Sequence, residues 1–166
     1  MYGALQALGG NGFVEDFPMA RLFRHSPLNS VWEGSGNVIA LDIVMRGSKS
    51  LPALLNDIKK CRGSDSYLDQ YIARLEADIA TCTRDPISSI NQRAARNIVD
   101  RLAIALQSSA LLRYGNAKVA GAYIESRIHP LIGSDVSERG VNIGGGVIFQ
   151  DALAQEIIQR NMPHFN

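Results

Sequence analysis

Apolar residues along this chain recur mainly at intervals of three and four positions, the period of an amphipathic α-helix. The clearest example lies between residues 67 and 82, and the segment 102–112 is apolar on nearly every face, so that it is predicted to be central. No alternating apolar and polar run is long enough to indicate a strand. The pattern therefore predicts an all-α fold, an antiparallel helical bundle.

Turn-forming and capping residues set the expected helix ends. The turn signal Gly9-Gly10-Asn11-Gly12 ends a first short helix, because glycine provides the backbone angles of a tight reversal, and an irregular segment is expected after it. Ser64 or Asp65 is expected to cap the long helix that follows. The Gly-rich stretch 133–146 has no pattern that indicates a helix or a strand, and Ile157 and Ile158 are predicted to lie on a last helix. Further helices are predicted over 19–25, from near Ser35 to about 47, and over 52–60, 89–114 and 118–129.

The 166 residues suit one core, and the hydrophobic fraction of 46% is that of a globular protein. We therefore expect a single helical domain over residues 1–166. The first helix begins without a preceding cap, which indicates a domain truncated at its N-terminus. Residues 1–48 carry the motifs described below, and residues 49–166 form an extended helical region.

Charge and cysteine content exclude several classes of function. The net charge of +1 gives no overall field for nucleic acid or an anionic membrane. No long apolar run or signal peptide is present, so no membrane association is expected and a cytoplasmic location is predicted. Cys61 and Cys82 lack metal-ligand spacing and are interpreted as buried or idle thiols, and no metal site is expected. The three histidines, His25, His129 and His164, are isolated and are not expected to be ligands.

Two motifs carry the most specific chemical signal. Residues 6–13 read Gln-Ala-Leu-Gly-Gly-Asn-Gly-Phe and residues 30–37 read Ser-Val-Trp-Glu-Gly-Ser-Gly-Asn, with Arg-Leu-Phe-Arg at 21–24 between them. In this order they resemble the C-terminal signature of the acyl-CoA dehydrogenases. The Trp-Glu-Gly-Ser-Gly-Asn form is similar to the AidB-like branch of that family. The resemblance covers about the first 46 residues closely and the later helices loosely.

The resemblance implies a contact with FAD at the first motif. Its Gln-x-x-Gly-Gly turn lies at a subunit interface in the family and touches the adenosine diphosphate part of the cofactor, which assigns this role to Gln6, Gly9 and Gly10. Glycine at such a turn lets backbone N–H groups approach phosphate oxygens. The alternative is that these glycines only end a helix.

The second motif implies the catalytic base. Glu33 matches the glutamate that removes the α-proton of the acyl thioester, Gly34 leaves room for the thioester, and Ser35 and Asn37 match flavin-contacting residues. Val31 and Trp32 are expected to desolvate Glu33 partly. The alternative is a carboxylate that interacts with the first N–H groups of the next helix.

Two functions follow. The first is a C-terminal fragment of an FAD-dependent acyl-CoA dehydrogenase, which acts on acyl-CoA in its parent enzyme, forms a homo-oligomer and is expected to be inactive alone. The second is an AidB-like helical module that binds DNA or protein without catalysis. Its candidate basic surface has acidic residues interleaved with it, so a solvated helical face is the alternative. That surface comprises Lys49, Lys59, Lys60, Arg62, Arg93, Arg96 and Arg101.

Overall fold

The computed structural model describes residues 1–47, 49–128 and 151–162. It divides into two compact units, Met1–Ile43 and Val44–Asn166, and each is described by itself. Helix α4 (Gly36–Arg46) contains the division between them.

The first unit is built from three short helices and a 3-10 turn. Helix α3 buries only the small and flexible side chains of Met19 and Ala20. Proline suits the first position of α3, because its missing N–H would have no partner there. The elements are α1 (Tyr2–Leu8), α2 (Gly10–Phe13), α3 (Pro18–His25) and the 3-10 helix Ser26–Ser30.

One element of this unit was not predicted. Residues 10–13, which include most of the expected glycine turn, form the single turn of α2, and the irregular segment expected after Gly12 lies at residues 14–17. Gly12 explains the difference. A Cβ atom at this buried position would lie 2.5 Å from the carbonyl oxygen of Leu5, so the missing side chain lets α2 pack directly on α1.

The second unit contains the longer helices. Short connections join α6 to α7 and α7 to α8, so that neighbouring helices are antiparallel and pack along their lengths. The side chains of Leu68, Ile72 and Leu75 form the buried stripe of α6. The elements are α5 (Leu51–Ile58), the 3-10 helix Lys59–Cys61, α6 (Ser66–Arg84), α7 (Ser89–Tyr114), α8 (Ala117–Arg127) and α9 (Asp151–Asn161).

Side-chain caps begin two of these helices. The Asp65 carboxylate accepts a hydrogen bond of 2.9 Å from the Leu68 N–H, which settles the choice between Ser64 and Asp65. The Asn116 side chain caps α8 in the same way. In the middle of the unit, the buried Ser109 hydroxyl donates to the Ile58 carbonyl over 2.9 Å and thereby ties α7 to the end of α5.

The described residues confirm the all-α prediction, and no strand occurs among them. Both thiols are free and buried, as expected. Within the described ranges, no helix is long and apolar enough to cross a bilayer. The single domain over 1–166 remains a prediction. The glycine-rich stretch 133–146 and two of the histidines, His129 and His164, lie outside the described residues.

Candidate functional site

The glycine turn connects α1 to α2 and leaves its backbone open. Gly9 has φ 58° and ψ −136°, a conformation that strains any residue with a side chain. Gly10 does not have a positive φ, and apart from its chain neighbours and the backbone of its own helix no atom lies within 4 Å of the position that its Cβ would take. Both glycines and Gln6 are exposed. The turn therefore offers accessible backbone at the positions that the sequence assigns to FAD.

A series of short-range hydrogen bonds shapes the loop that carries Glu33. The Val31 N–H donates to the Leu28 carbonyl over 2.9 Å, and the Gly34 N–H donates to the Val31 carbonyl over 3.1 Å. Gly34 has φ 106°, which again favours glycine. The chain then turns directly into α4, whose first hydrogen bond joins the Ile39 N–H to the Ser35 carbonyl over 3.0 Å.

Glu33 and Ser35 are solvent-exposed in this loop, and Asn37 is exposed in the first turn of α4. The expected shielding by its neighbours is wrong for the described residues, because Val31 and Trp32 are themselves both 65% exposed. These two large apolar side chains adjoin Glu33 in sequence, but among the described residues little packs over either of them. The loop thus presents an accessible carboxylate shortly before the N-terminus of a helix, where negative charge is favoured.

A feature of this unit that the sequence did not predict is an ion pair between Glu15 and Arg24. The Arg24 Nη2 donates to Glu15 Oε2 over 3.0 Å, and Nη1 donates to Oε1. The hydrogen bond lowers the pKa of the Glu15 carboxyl and raises the pKa of Arg24. The two residues are nine positions apart across a non-helical segment, so no helical spacing signals the pairing.

The same two side chains border a cavity of about 480 Å³ in the first unit. Its other walls are mainly apolar and come from α1, the end of α2 and α3; they include Leu5, Phe13, Ala20 and Phe23. The cavity adjoins the close contact of Gly12 with α1, since Gly12 also lines it. The glycine turn is therefore next to a concave surface that carries one cation and one anion at its edge.

The basic candidates of the second unit mostly face carboxylates. This arrangement is the one that the solvated-face alternative expects, and DNA binding itself remains a prediction. Arg93 donates to the Ser89 carbonyl instead. The pairs are Lys59–Glu76, Arg62–Glu76 at 3.6 Å, Lys60–Asp57 at 2.8 Å, Arg96–Asp100 at 3.0 Å and Arg101–Asp78 at 2.5 Å.

No group of three His, Cys, Asp or Glu side chains suited to a metal ion occurs in the part of the chain that the structure describes. The residues assigned to FAD and to the catalytic base all lie in the first unit. Gly9 and Gly10 belong to one turn, with Gln6 just before it on α1. Glu33, Gly34 and Ser35 belong to one loop, and Asn37 lies in the first turn of α4 that follows it. Their roles remain predictions.

Comparison with known proteins agrees with the resemblance. Residues 2–48 match the family model described as acyl-CoA dehydrogenase, C-terminal domain. This segment, with both motifs inside it, belongs to the acyl-CoA dehydrogenase family.

One relative shows how far the similarity extends. The chain is 30% identical over 139 residues to the Escherichia coli (strain K12) protein named "Putative acyl-CoA dehydrogenase AidB". The alignment covers 82% of this chain and 24% of that protein, so the chain spans about a quarter of the length of the curated relative it matches. The alignment with this relative is longer than the family match, so the similarity to it continues beyond the two motifs.

Proposed function

We propose that this chain supplies the C-terminal helical part of an FAD-dependent acyl-CoA dehydrogenase, which introduces an α,β double bond into acyl-CoA thioesters. The observation that carries the proposal is the placement of both family motifs, the glycine turn and the Glu33 loop, in one compact unit with their backbone and carboxylate accessible. We also propose that the chain acts within a larger assembly.

The glycine turn fits the phosphate-bearing part of FAD. A ligand can approach Gly9 and Gly10 closely because no atom occupies the space where their Cβ atoms would stand. Backbone N–H groups in such a turn bind anionic oxygens without a charged side chain. The amide of Gln6, one turn earlier on the exposed surface of α1, adds a polar contact.

Glu33 is the proposed base. It takes the proton from the α-carbon of the thioester, and Gly34 leaves space beside it for the thioester group. The bound FAD would supply the acceptor for the hydride that leaves the β-carbon. A carboxylate base for this step works best when its pKa is close to the operating pH, and burial of a carboxylate raises its pKa towards that range. Since Glu33 is exposed here, we expect the apolar cover to come from the acyl chain or from other parts of the assembly, and the isolated chain to be inactive.

The test is an FAD titration followed by fluorescence anisotropy, with Gly10→Ala and Gly3→Ala as matched variants. Both glycines are exposed and have open space at the Cβ position, so neither substitution should strain the fold. Gly9→Ala is unsuitable because its positive φ would add strain. We expect Gly10→Ala to weaken FAD binding at least tenfold, a change of about 1.4 kcal/mol, while Gly3→Ala leaves it unchanged.

A Glu33→Gln variant separates binding from chemistry. We expect it to bind FAD as the unmodified chain does, since its proposed role is proton removal rather than cofactor contact. Equal FAD affinities of Gly10→Ala, Gly3→Ala and the unmodified chain would contradict the flavin role of the turn. Absence of saturable binding at any accessible concentration would contradict the proposal that this chain retains its part of the site.

Self-association is the second proposed function, favoured by the large apolar side chains that the first unit exposes. Phe13 is 76% exposed, and Val31 and Trp32 are exposed nearly as much. Several such side chains in one small unit favour an interface. Sedimentation equilibrium should show a dimer or larger oligomer at micromolar protein, with or without FAD. A monomer throughout that range would contradict it, and anisotropy of labelled duplex DNA provides the test of the nucleic-acid alternative.

A further inference from the structure

The Glu15–Arg24 pair joins the connection between α2 and α3 to the last turn of α3. Glu15 lies within residues 14–17, and Arg24 is one residue before the end of α3. Two parallel N–H···O bonds fix both the distance and the relative orientation of the two groups. A bidentate contact of this kind constrains geometry more than a single charge contact does.

On one side, the pair is connected to the glycine turn by a short hydrogen-bonded path. The Val14 N–H, next to Glu15, donates to the Gly10 carbonyl over 3.2 Å. The Gly12 N–H donates to the Gly9 carbonyl over 3.0 Å. Glu15 is therefore linked through a few bonds to the backbone that is proposed to face the FAD phosphates.

On the other side, the pair is connected to the Glu33 loop. The Ser26 hydroxyl donates to the Phe23 carbonyl over 3.0 Å and continues α3 into the 3-10 helix. The Trp32 N–H then donates to the Leu28 carbonyl over 3.1 Å. From Arg24 to Glu33 the backbone thus consists of successive closed turns with no long flexible segment.

Few buried apolar side chains hold these parts together. Met19, Ala20 and Ala40 are the buried apolar side chains among the described residues of the first unit. The rings of Tyr2 and Phe23 lie 6.4 Å apart and join α1 to α3. With so little apolar burial, a polar contact that crosses between elements has a larger share in fixing their arrangement.

We propose that Glu15 and Arg24 are positioning residues: their bidentate pair holds the glycine turn in register with the segment that carries Glu33, so that the two halves of the proposed site bind as one unit. The inference rests on the proposed function for its consequence in FAD binding. Its structural part concerns the order of the glycine turn and is measured without FAD.

The first readout is amide hydrogen exchange in the full 166-residue chain. For an exposed pair, we expect Glu15→Gln to accelerate exchange at Gly12 and Val14 by roughly two- to fivefold at low salt. The Leu68 amide in the second unit should not change. The acceleration should vanish at about 1 M salt, where charges are screened beyond roughly 3 Å. Arg24→Lys, which keeps the charge but loses the two-pronged contact, should give a smaller effect of the same sign.

The second readout is FAD affinity. We expect each single variant to weaken it by roughly the same two- to fivefold factor, and the exchanged pair, Glu15→Arg with Arg24→Glu, to recover most of the loss. Unchanged exchange at Gly12 and Val14 in both single variants would overturn the inference. So would faster exchange throughout the chain with a lower melting temperature, because that result indicates general destabilisation. If the chain binds no FAD, the proposed function fails while the exchange data still decide the inference.

Discussion

Replacing Gly115 with alanine tests whether the close packing at the end of α7 is required by the fold. A Cβ atom at this position would lie 2.6 Å from the carbonyl oxygen of Leu111 and 3.1 Å from its Cα. The same oxygen accepts the Gly115 N–H over 2.8 Å, so the clash and the terminal hydrogen bond of the helix involve one atom. Overpacking of this kind costs about 1–3 kcal/mol, against which reduced freedom of the unfolded chain offsets about 0.4–1 kcal/mol. We expect a net loss of about 1 kcal/mol in the free energy of unfolding.

Gly121→Ala is the matched control. Gly121 is exposed within α8, and apart from the backbone of its own helix no atom lies within 4 Å of its Cβ position, so the same substitution should stabilise the protein by about 1 kcal/mol through helix propensity. Urea denaturation followed by circular dichroism should separate the two midpoints by about 1 M. The geometric reasoning is refuted if Gly115→Ala unfolds at the same urea concentration as Gly121→Ala or at a higher one.

Three further outcomes are expected. Leu75→Ala, at a fully buried position of α6, should lower the free energy of unfolding by about 2–5 kcal/mol, whereas Ile87→Ala at an exposed position should change it by less than about 0.5 kcal/mol, both measured by urea denaturation. Hydrogen bonds from Arg113, which has the larger effect, and from Lys60 lower the pKa of Asp57 from 3.8 to about 2. These contacts therefore stabilise the fold above pH 3.8, and their contribution is lost as the pH falls towards 2. Asp57→Asn should remove that part of the pH dependence of the urea midpoint, and an unchanged pH profile would contradict the assignment. Burial raises the pKa of the Cys82 thiol, so it should react slowly with a disulfide reagent at neutral pH and rapidly in urea; equal rates in both would contradict burial.

The helices of the second unit could be predicted because their signals are local. The stripe of α6 repeats at helical spacing, and Asp65 supplies a side-chain cap at its start. Asn116 does the same for α8. Propensity, period and capping agree at these positions, which is the condition under which sequence reasoning works. The expected ends at Gly9 and Gly115 hold for the same reason.

The details of the first unit depend on contacts that local patterns do not encode. Helix α2 packs on α1 through the contact of Gly12 with Leu5, which is seven residues earlier and on another helix. The pairing of Glu15 with Arg24 crosses a non-helical connection. The exposure of Trp32 was also unpredictable, because burial depends on what packs over a side chain and not on which residues adjoin it.

The fold requires glycine at some positions of the two motifs and not at others, and this difference makes the proposed function testable. Gly9 and Gly34 are required by their positive φ angles, and Gly12 is required by its contact with Leu5. Gly10 has neither constraint, and alanine would be favoured over glycine in a helix by about 1 kcal/mol. The fold therefore gives no reason for glycine at this position. Close approach of a ligand would give one, so Gly10→Ala measures the proposed function where a loss of binding cannot be attributed to backbone strain.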